Sequence, residues 1–208
     1  VSEIVSSQFM LGNEALIEMS DSPLKGKRIG LITNNSGVLS DGRLFMDLLS
    51  EHHDLTKIFT PEHGLRGNER NEDYTDEATG AFVVSLYGNK EKPSSSDLSD
   101  VDVLVYDLQD VSARFYTFVN TLYYCMQAAL ENDKKIVVCD RPIIPDGNYV
   151  DGFVLEDSYK SFVGLLNVPA AYAMTCGELA MLINSEYLGN KCDLEISKMK
   201  NYSRSMNY

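Results

Sequence analysis

The run Val101-Asp102-Val103-Leu104-Val105-Tyr106-Asp107-Leu108 reads as a β-strand, and its surroundings decide the fold. A polar cluster follows, Gln109 to Thr117. An amphipathic stretch comes next, Thr117 to Glu131, with Leu122, Met126, Ala129 and Leu130 at helical spacing. A second apolar run, Lys135 to Asp140, is then stopped by Arg141-Pro142. Strand, helix and strand in that order form the unit of a parallel sheet covered by helices.

The alternation extends both ways. Toward the N-terminus, Lys27 to Thr33 reads as a buried strand and Gly42 to Glu51 as a helix. That helix has Leu44, Phe45, Leu48 and Leu49 on one face and Asp41 near its start. Leu55 to Thr60 and Ala81 to Leu86 are two further strands. Toward the C-terminus, Thr175-Cys176-Gly177-Glu178 has the form of a capping box and opens a helix, Gly177 to Leu188, closed by Gly189. Leu194 to Met199 is one more strand. Gly67 to Gly80 and Gly88 to Ser99 read as surface loops. The expected fold class is α/β, a Rossmann-like three-layer domain with a mostly parallel sheet and helices on both faces. It occupies residues 1–208, with 1–23 as a helical lead-in. The tail from Asn201 to Tyr208 reads as neither helix nor linker, as at a domain boundary.

The 208 residues suffice for one sizeable core. The net charge of −13 argues against nucleic acid and against an anionic membrane surface, so an anionic ligand must be held by a few local arginines. No stretch approaches the ~20 apolar residues of a membrane span. Val1 to Val5 show no basic region leading into an apolar run. Cys125, Cys139, Cys176 and Cys192 form no C-x-x-C pair, and the first two fall in apolar patterns as buried small hydrophobes, with a disulfide left open.

In a parallel sheet the loops after the strands share one rim, where ligands bind. Four polar clusters fall there: Asn34-Asn35-Ser36-Gly37, Pro61-Glu62-His63-Gly64-Leu65-Arg66-Gly67, Gln109 to Thr117, and Asp140-Arg141-Pro142. Each also has a plainer reading. The first is a turn by composition, Pro61-Glu62-His63-Gly64 is a turn carrying a solvated Glu, Asp107 and Asp110 are helix caps, Arg114 and Arg141 are structural ion pairs, and, away from the rim, His52 and His53 end a helix. There is no G-x-G-x-x-G, no P-loop and no G-x-S-x-G, and His63 is the lone histidine of the rim, so no cofactor and no metal centre is expected. What remains is a carboxylate-and-arginine site, which suits glycoside hydrolysis.

The run Phe59-Thr60-Pro61-Glu62-His63-Gly64-Leu65-Arg66-Gly67 resembles the F-S-P-E-H-G-hydrophobic-R-G pattern of the exo-β-N-acetylmuramidases, a glycoside hydrolase family formerly described as a domain of unknown function. Ser85-Leu86-Tyr87-Gly88 with Lys92-Pro93, Asp107 to Val111 through Arg114-Phe115-Tyr116-Thr117, Cys139 to Pro142, and Met174-Thr175 with Gly177 to Ala180 continue the resemblance in order, over about residues 24 to 182. It implies a Rossmann-like N-terminal domain whose C-terminal partner is absent from this chain. It also implies release of terminal β-linked N-acetylmuramic acid from the non-reducing end of peptidoglycan fragments. Glu62 then looks like the catalytic carboxylate, with His63 and Asp110 beside it. Asn34, Arg66, Arg114, Tyr116, Asp140 and Arg141 look like substrate-binding residues. An arginine is the natural partner of the lactyl carboxylate.

Three departures stand out. Ser112 replaces a Gly in D-V-G-x-R, Ile143-Ile144 replaces the polar residue of D-R-P-N-P, and Tyr172-Ala173 replaces a His-Gly pair before Met174-Thr175. Glu62 is expected to act as general acid. Asp110 or Asp107 is its partner, at roughly 5–5.5 Å for a retaining and about 6.5–9.5 Å for an inverting enzyme, or the sugar's own 2-acetamido group serves instead. The rivals are a sugar- or muropeptide-binding module without catalysis, a metal-dependent hydrolase using Glu62, His63 and Asp107, and a purely structural domain. The expected location is secreted or periplasmic, with cytosolic recycling as the alternative.

Overall fold

A computed structural model of the protein describes residues 9–67, 70, 72–144 and 147–206. The first part of the expected lead-in, three positions of the Gly67–Gly80 loop, Pro145 and the last two tail residues lie outside the described residues.

The chain runs α1 (Gly12–Glu18), β1 (Arg28–Thr33), α2 (Phe45–His52), β2 (Asp54–Thr60), β3 (Tyr74–Thr75), β4 (Phe82–Ser85), β5 (Val103–Asp107), α3 (Phe118–Glu131), β6 (Lys135–Cys139), a 3-10 turn (Asp157–Tyr159), α4 (Cys176–Leu182) and β7 (Leu194–Ser197). The strands form one sheet in the order β3-β4-β2-β1-β5-β6-β7. Every pairing is parallel except that of the short edge strand β3 with β4. The central strands β1 and β5 are buried along nearly their whole length, as expected of parallel strands covered on both faces.

Leu16 of α1 and Phe45, Met46 and Leu49 of α2 pack with Ile29, Leu31 and Val105 on one face. Leu122 and Met126 of α3 and Leu179 and Ala180 of α4 pack with Ile32, Leu104 and Tyr106 on the other. The three layers of the expected fold class are therefore present, and burying each large apolar side chain contributes roughly 1.5–3 kcal/mol. The four cysteines are all free and buried.

Three local expectations need correction. The first helix of the repeating unit begins at Phe45, not Gly42, because residues 37–45 fold back on themselves: Leu39 N donates to Arg43 O at 2.9 Å and Phe45 N to Gly37 O at 2.8 Å. Asp41 accepts from Arg43 instead of capping that helix. Strand β3 falls inside a stretch read as loop, since two residues are too few for a periodic signal. The last helix follows its capping box, with Thr175 Oγ1 accepting from Glu178 N at 3.2 Å, but widens into a π-turn over Ile183–Tyr187 before Gly189. The tail is docked: Arg204 donates to the carbonyls of Ala173 and Gly147 and pairs with Glu178.

Candidate active site

Strand order reverses at β1, so the switch point of the sheet lies between β1 and β5, where doubly wound folds open a crevice. Here that gap is filled. Asn34 Oδ1 accepts from Ser36 N at 2.8 Å and Ser36 Oγ at 2.7 Å, and Ser36 Oγ accepts from Gln109 N at 3.0 Å. Thr33 Oγ1 donates to the Asp107 carbonyl at 2.9 Å. A Cβ on Gly37 would overlap the Thr33 hydroxyl, so this first turn packs closely against the β5 loop. Asn34 is buried and shapes its own turn.

Beneath that seal lies Asp107, at the end of β5. Its Oδ1 accepts from Arg141 Nε at 2.7 Å and its Oδ2 from Arg141 Nη2 at 2.9 Å and Asn13 Nδ2 at 3.1 Å. Arg141 is 3% exposed and Asp107 fully buried. Of the alternatives for Arg141, the structural ion pair is the one the geometry realises. Both Asp107 oxygens are thus occupied, which removes it from the rival metal set and from reach of a substrate. Neither Asp107 nor Asp110 caps α3, whose N-cap residue is Thr117.

Glu62 stands two strands over, past the end of β2. Pro61 ends the strand, and the turn that follows holds His63 at φ 76° and Gly64 at φ 68°. A non-glycine residue in left-handed backbone is strained, which is common beside functional groups. His63 is exposed and Glu62 half-buried. Thr117 Oγ1 donates to Glu62 Oε2 at 3.2 Å, a hydroxyl spent on the carboxylate and not on the helix it begins. Tyr87, from the loop after β4, lies beside Glu62, and the carboxylate raises its phenol above the ordinary range. Tyr116 packs edge-on against Phe118 at 4.7 Å, and burial, then the charges of Asp110 and Glu62, push its phenol up.

Asp110 lies behind this group, 7% exposed. Its Oδ1 accepts from Val111 N at 2.7 Å and its Oδ2 from the Tyr172 hydroxyl. Burial pushes its carboxyl up to about 6, with the Tyr172 bond pulling the other way. Arg114, in the same loop, is half-buried, and its Nη1 donates to the carbonyls of Phe153 at 2.8 Å and Val168 at 2.5 Å. Arg66 is taken by Asp76 on two atoms and by Asp47 at 2.8 Å. Asp140 accepts from Gly177 N at 2.8 Å, where it holds the start of α4, and burial raises its carboxyl. It follows β6, three strand spacings or roughly 14 Å from the end of β2.

The expected residues therefore divide. Glu62, His63, Tyr116 and Arg114 are wholly or partly open at the rim, whereas Asn34, Asp110, Asp140 and Arg141 are buried and Arg66 is committed to carboxylates. Tyr87 and Thr117 join Glu62 without having been singled out, although both stand in the polar runs directly after strands. Tyr172 was legible only as a departure, and Asn13 carried no signal.

The chain matches the family described as Exo-beta-N-acetylmuramidase NamZ, N-terminal, over residues 29–208. It is 45% identical over 203 residues to a Bacillus subtilis (strain 168) protein named peptidoglycan beta-N-acetylmuramidase NamZ, an overlap of 95% of this chain and 49% of that one. A crystal structure of a DUF1343 family protein from Bacteroides fragilis NCTC 9343 superposes with TM-score 0.90 at 42% identity, covering 97% of this chain and 53% of the other. A second from the same organism gives 0.84 at 37% identity, covering 97% and 55%. The chain thus spans about half the length of these relatives. Matched across most of its own length in sequence and in fold, the chain belongs to the family of NamZ exo-β-N-acetylmuramidase N-terminal domains.

Proposed function

We propose that the chain is the catalytic half of an exo-acting glycosidase that releases terminal β-linked N-acetylmuramic acid from the non-reducing end of peptidoglycan fragments. The observation that carries this is Glu62: a half-buried carboxylate on a strained turn, held by the Thr117 hydroxyl and beside the Tyr87 phenol at the rim of the sheet. The name of the Bacillus relative supports the substrate class. In this reading Glu62 protonates the leaving glycosidic oxygen. Asp107 and Asp110 are turned inward onto Arg141 and Tyr172, which favours the sugar's 2-acetamido oxygen as the group that attacks the anomeric carbon. Water then opens the cyclic intermediate, with Glu62 as base. Arg114 is the arginine best placed for the lactyl carboxylate, because Nη1 carries both of its bonds to described residues and those go to carbonyls.

An apolar face borders this rim. Phe115, Tyr149, Val150, Phe153 and Val154 are all more than half exposed, and Phe153 reaches 92%. Exposed apolar surface of this kind marks an interface. We assign it to the second half of the longer relatives, which then completes the cleft. A peptidoglycan substrate supports a secreted or periplasmic location, with cytosolic recycling as the alternative.

The test is hydrolysis of a chromogenic β-N-acetylmuraminide beside the matching β-N-acetylglucosaminide. Release from the muraminide alone, lost in Glu62→Gln with the fold intact, is the expected result. Turnover that survives Glu62→Gln overturns the role of Glu62. A folded chain that releases neither product but binds N-acetylmuramic acid in a titration overturns catalysis by this chain on its own in favour of a binding module.

A further inference from the structure

Ser112, Tyr172 and Ala173 are departures from the family's sequence pattern, and the tertiary structure brings them to one contact. Residues 112–114 and 170–172 run side by side: Arg114 N donates to Ala170 O at 2.8 Å, Tyr172 N to Ser112 O at 3.2 Å, and Ala113 and Ala171 form a bridge pair. Ser112 at φ 55° and Ala173 at φ 47° flank this ladder in left-handed backbone, where the glycines of the pattern would be unstrained. From the same ladder the Tyr172 hydroxyl reaches the Asp110 carboxylate, with both side chains buried. Arg114 fastens the other end through the carbonyls of Val168 and Phe153. Tyr116 and Thr117, the neighbours of Glu62, come next in the chain.

We propose that Tyr172 is a positioning residue of the site: its hydroxyl, donated to Asp110 where the pattern has a histidine, holds the Asp110–Thr117 segment so that Tyr116 and Thr117 meet Glu62. This rests on Glu62 as the working carboxylate. The groups that face Asp110 are the neutral side chains of Tyr106, Tyr116, Tyr172 and Cys176 together with the backbone N–H groups of Val111 and Ser112. Arg141 lines the same small cavity but is spent on Asp107, so the Tyr172 hydroxyl is the one side-chain donor to the Asp110 carboxylate among the described residues. A histidine there would gain a positive charge as the pH falls, whereas Tyr172 stays neutral. The pair in this chain therefore orients without adding a cation to the site.

The experiment is an NMR titration of the carboxyl-labelled chain that follows Asp110 together with the Tyr116 ring and the Thr117 methyl, in the parent, Tyr172→Phe and Tyr172→His. In Tyr172→Phe the Asp110 midpoint moves up, since a donor to its ionised form is gone, and the Tyr116 and Thr117 signals shift. In Tyr172→His, which offers an N–H at the same place, the two signals return toward the parent. Tyr172→Phe with the midpoint and both signals unmoved overturns the proposal. If that variant does not fold, Asp110→Ala reads the same contact, and unmoved Tyr116 and Thr117 signals overturn it there. Should the chain hydrolyse the muraminide, kcat falls on the order of 10²-fold in Tyr172→Phe with KM little changed, and recovers in Tyr172→His. A chain that hydrolyses nothing on its own removes only the kinetic readout, and the NMR result still decides the role of Tyr172.

Discussion

Arg141 and Asp107 meet as a two-pronged ion pair inside the protein, with Nε 2.7 Å from Oδ1 and Nη2 2.9 Å from Oδ2, and Asn13 adds a third bond to the same carboxylate. Removing one partner leaves a buried charge without compensation. Arg141→Met should destabilise the chain by about 3–5 kcal/mol, and Asp107→Leu combined with Arg141→Met should recover much of that loss. Urea unfolding of the three proteins checks both statements. A single variant as stable as the parent would mean that the pair is hydrated.

Asp110 makes stability depend on pH in the less usual direction. Its folded-state carboxyl, pushed up to about 6 by burial, lies above the ordinary value of 3.8. Between those values the unfolded chain releases the proton while the native chain keeps it, so stability falls as pH rises from about 4 to 6. The penalty, up to about 3 kcal/mol, is complete above pH 6 and absent below pH 4. Asp110→Asn should therefore be more stable than the parent at pH 7 by about 1–3 kcal/mol, and its advantage should vanish at pH 4. Unfolding curves at the two pH values decide it.

Ser112 and Ala173 hold left-handed backbone without being glycine. Ser112→Gly and Ala173→Gly should each stabilise the chain by about 1 kcal/mol. Because Tyr172 N bonds to Ser112 O, the two sites share a contact, and the double variant should depart from the sum of the singles. Thermal unfolding of the set measures both effects, and a loss of stability in the single variants would contradict the strain.

Gly12 begins α1 against the ends of β6 and β7. A Cβ there would overlap backbone atoms of Asp140 and Ser197, which cannot rotate away as a side chain would. Gly12→Ala should cost about 1–3 kcal/mol or more, although alanine favours a helix elsewhere. A Gly12→Ala chain with an unchanged urea midpoint would show that α1 can lift from the sheet.

The elements of this fold were legible because their signals are local. Apolar runs such as Val103–Asp107 and Lys135–Cys139, and the helical spacing of Leu122 and Met126, report burial on two faces or on one over a few residues. The Thr175–Glu178 capping box is likewise complete within four neighbouring residues. Parallel order then places Glu62, Asp110 and Arg141 on one rim, since every strand that precedes them points the same way.

Which of those residues face outward was a matter of tertiary structure alone. Arg141 and Asp107 are 34 residues apart, Thr117 and Glu62 55, and Tyr172 and Asp110 62. Read singly, Arg141 and Arg114 look alike, yet one is buried against a carboxylate and the other reaches two carbonyls at the rim. The sequence by itself determined the six longer strands, the run of the main helices and the edge of the sheet where chemistry could gather, because periodicity and capping act over neighbouring residues. Only the folded chain decided that Glu62 stays open while Asp107 and Asp110 turn inward, because a buried charge goes to whichever partner the packing brings within hydrogen-bond reach.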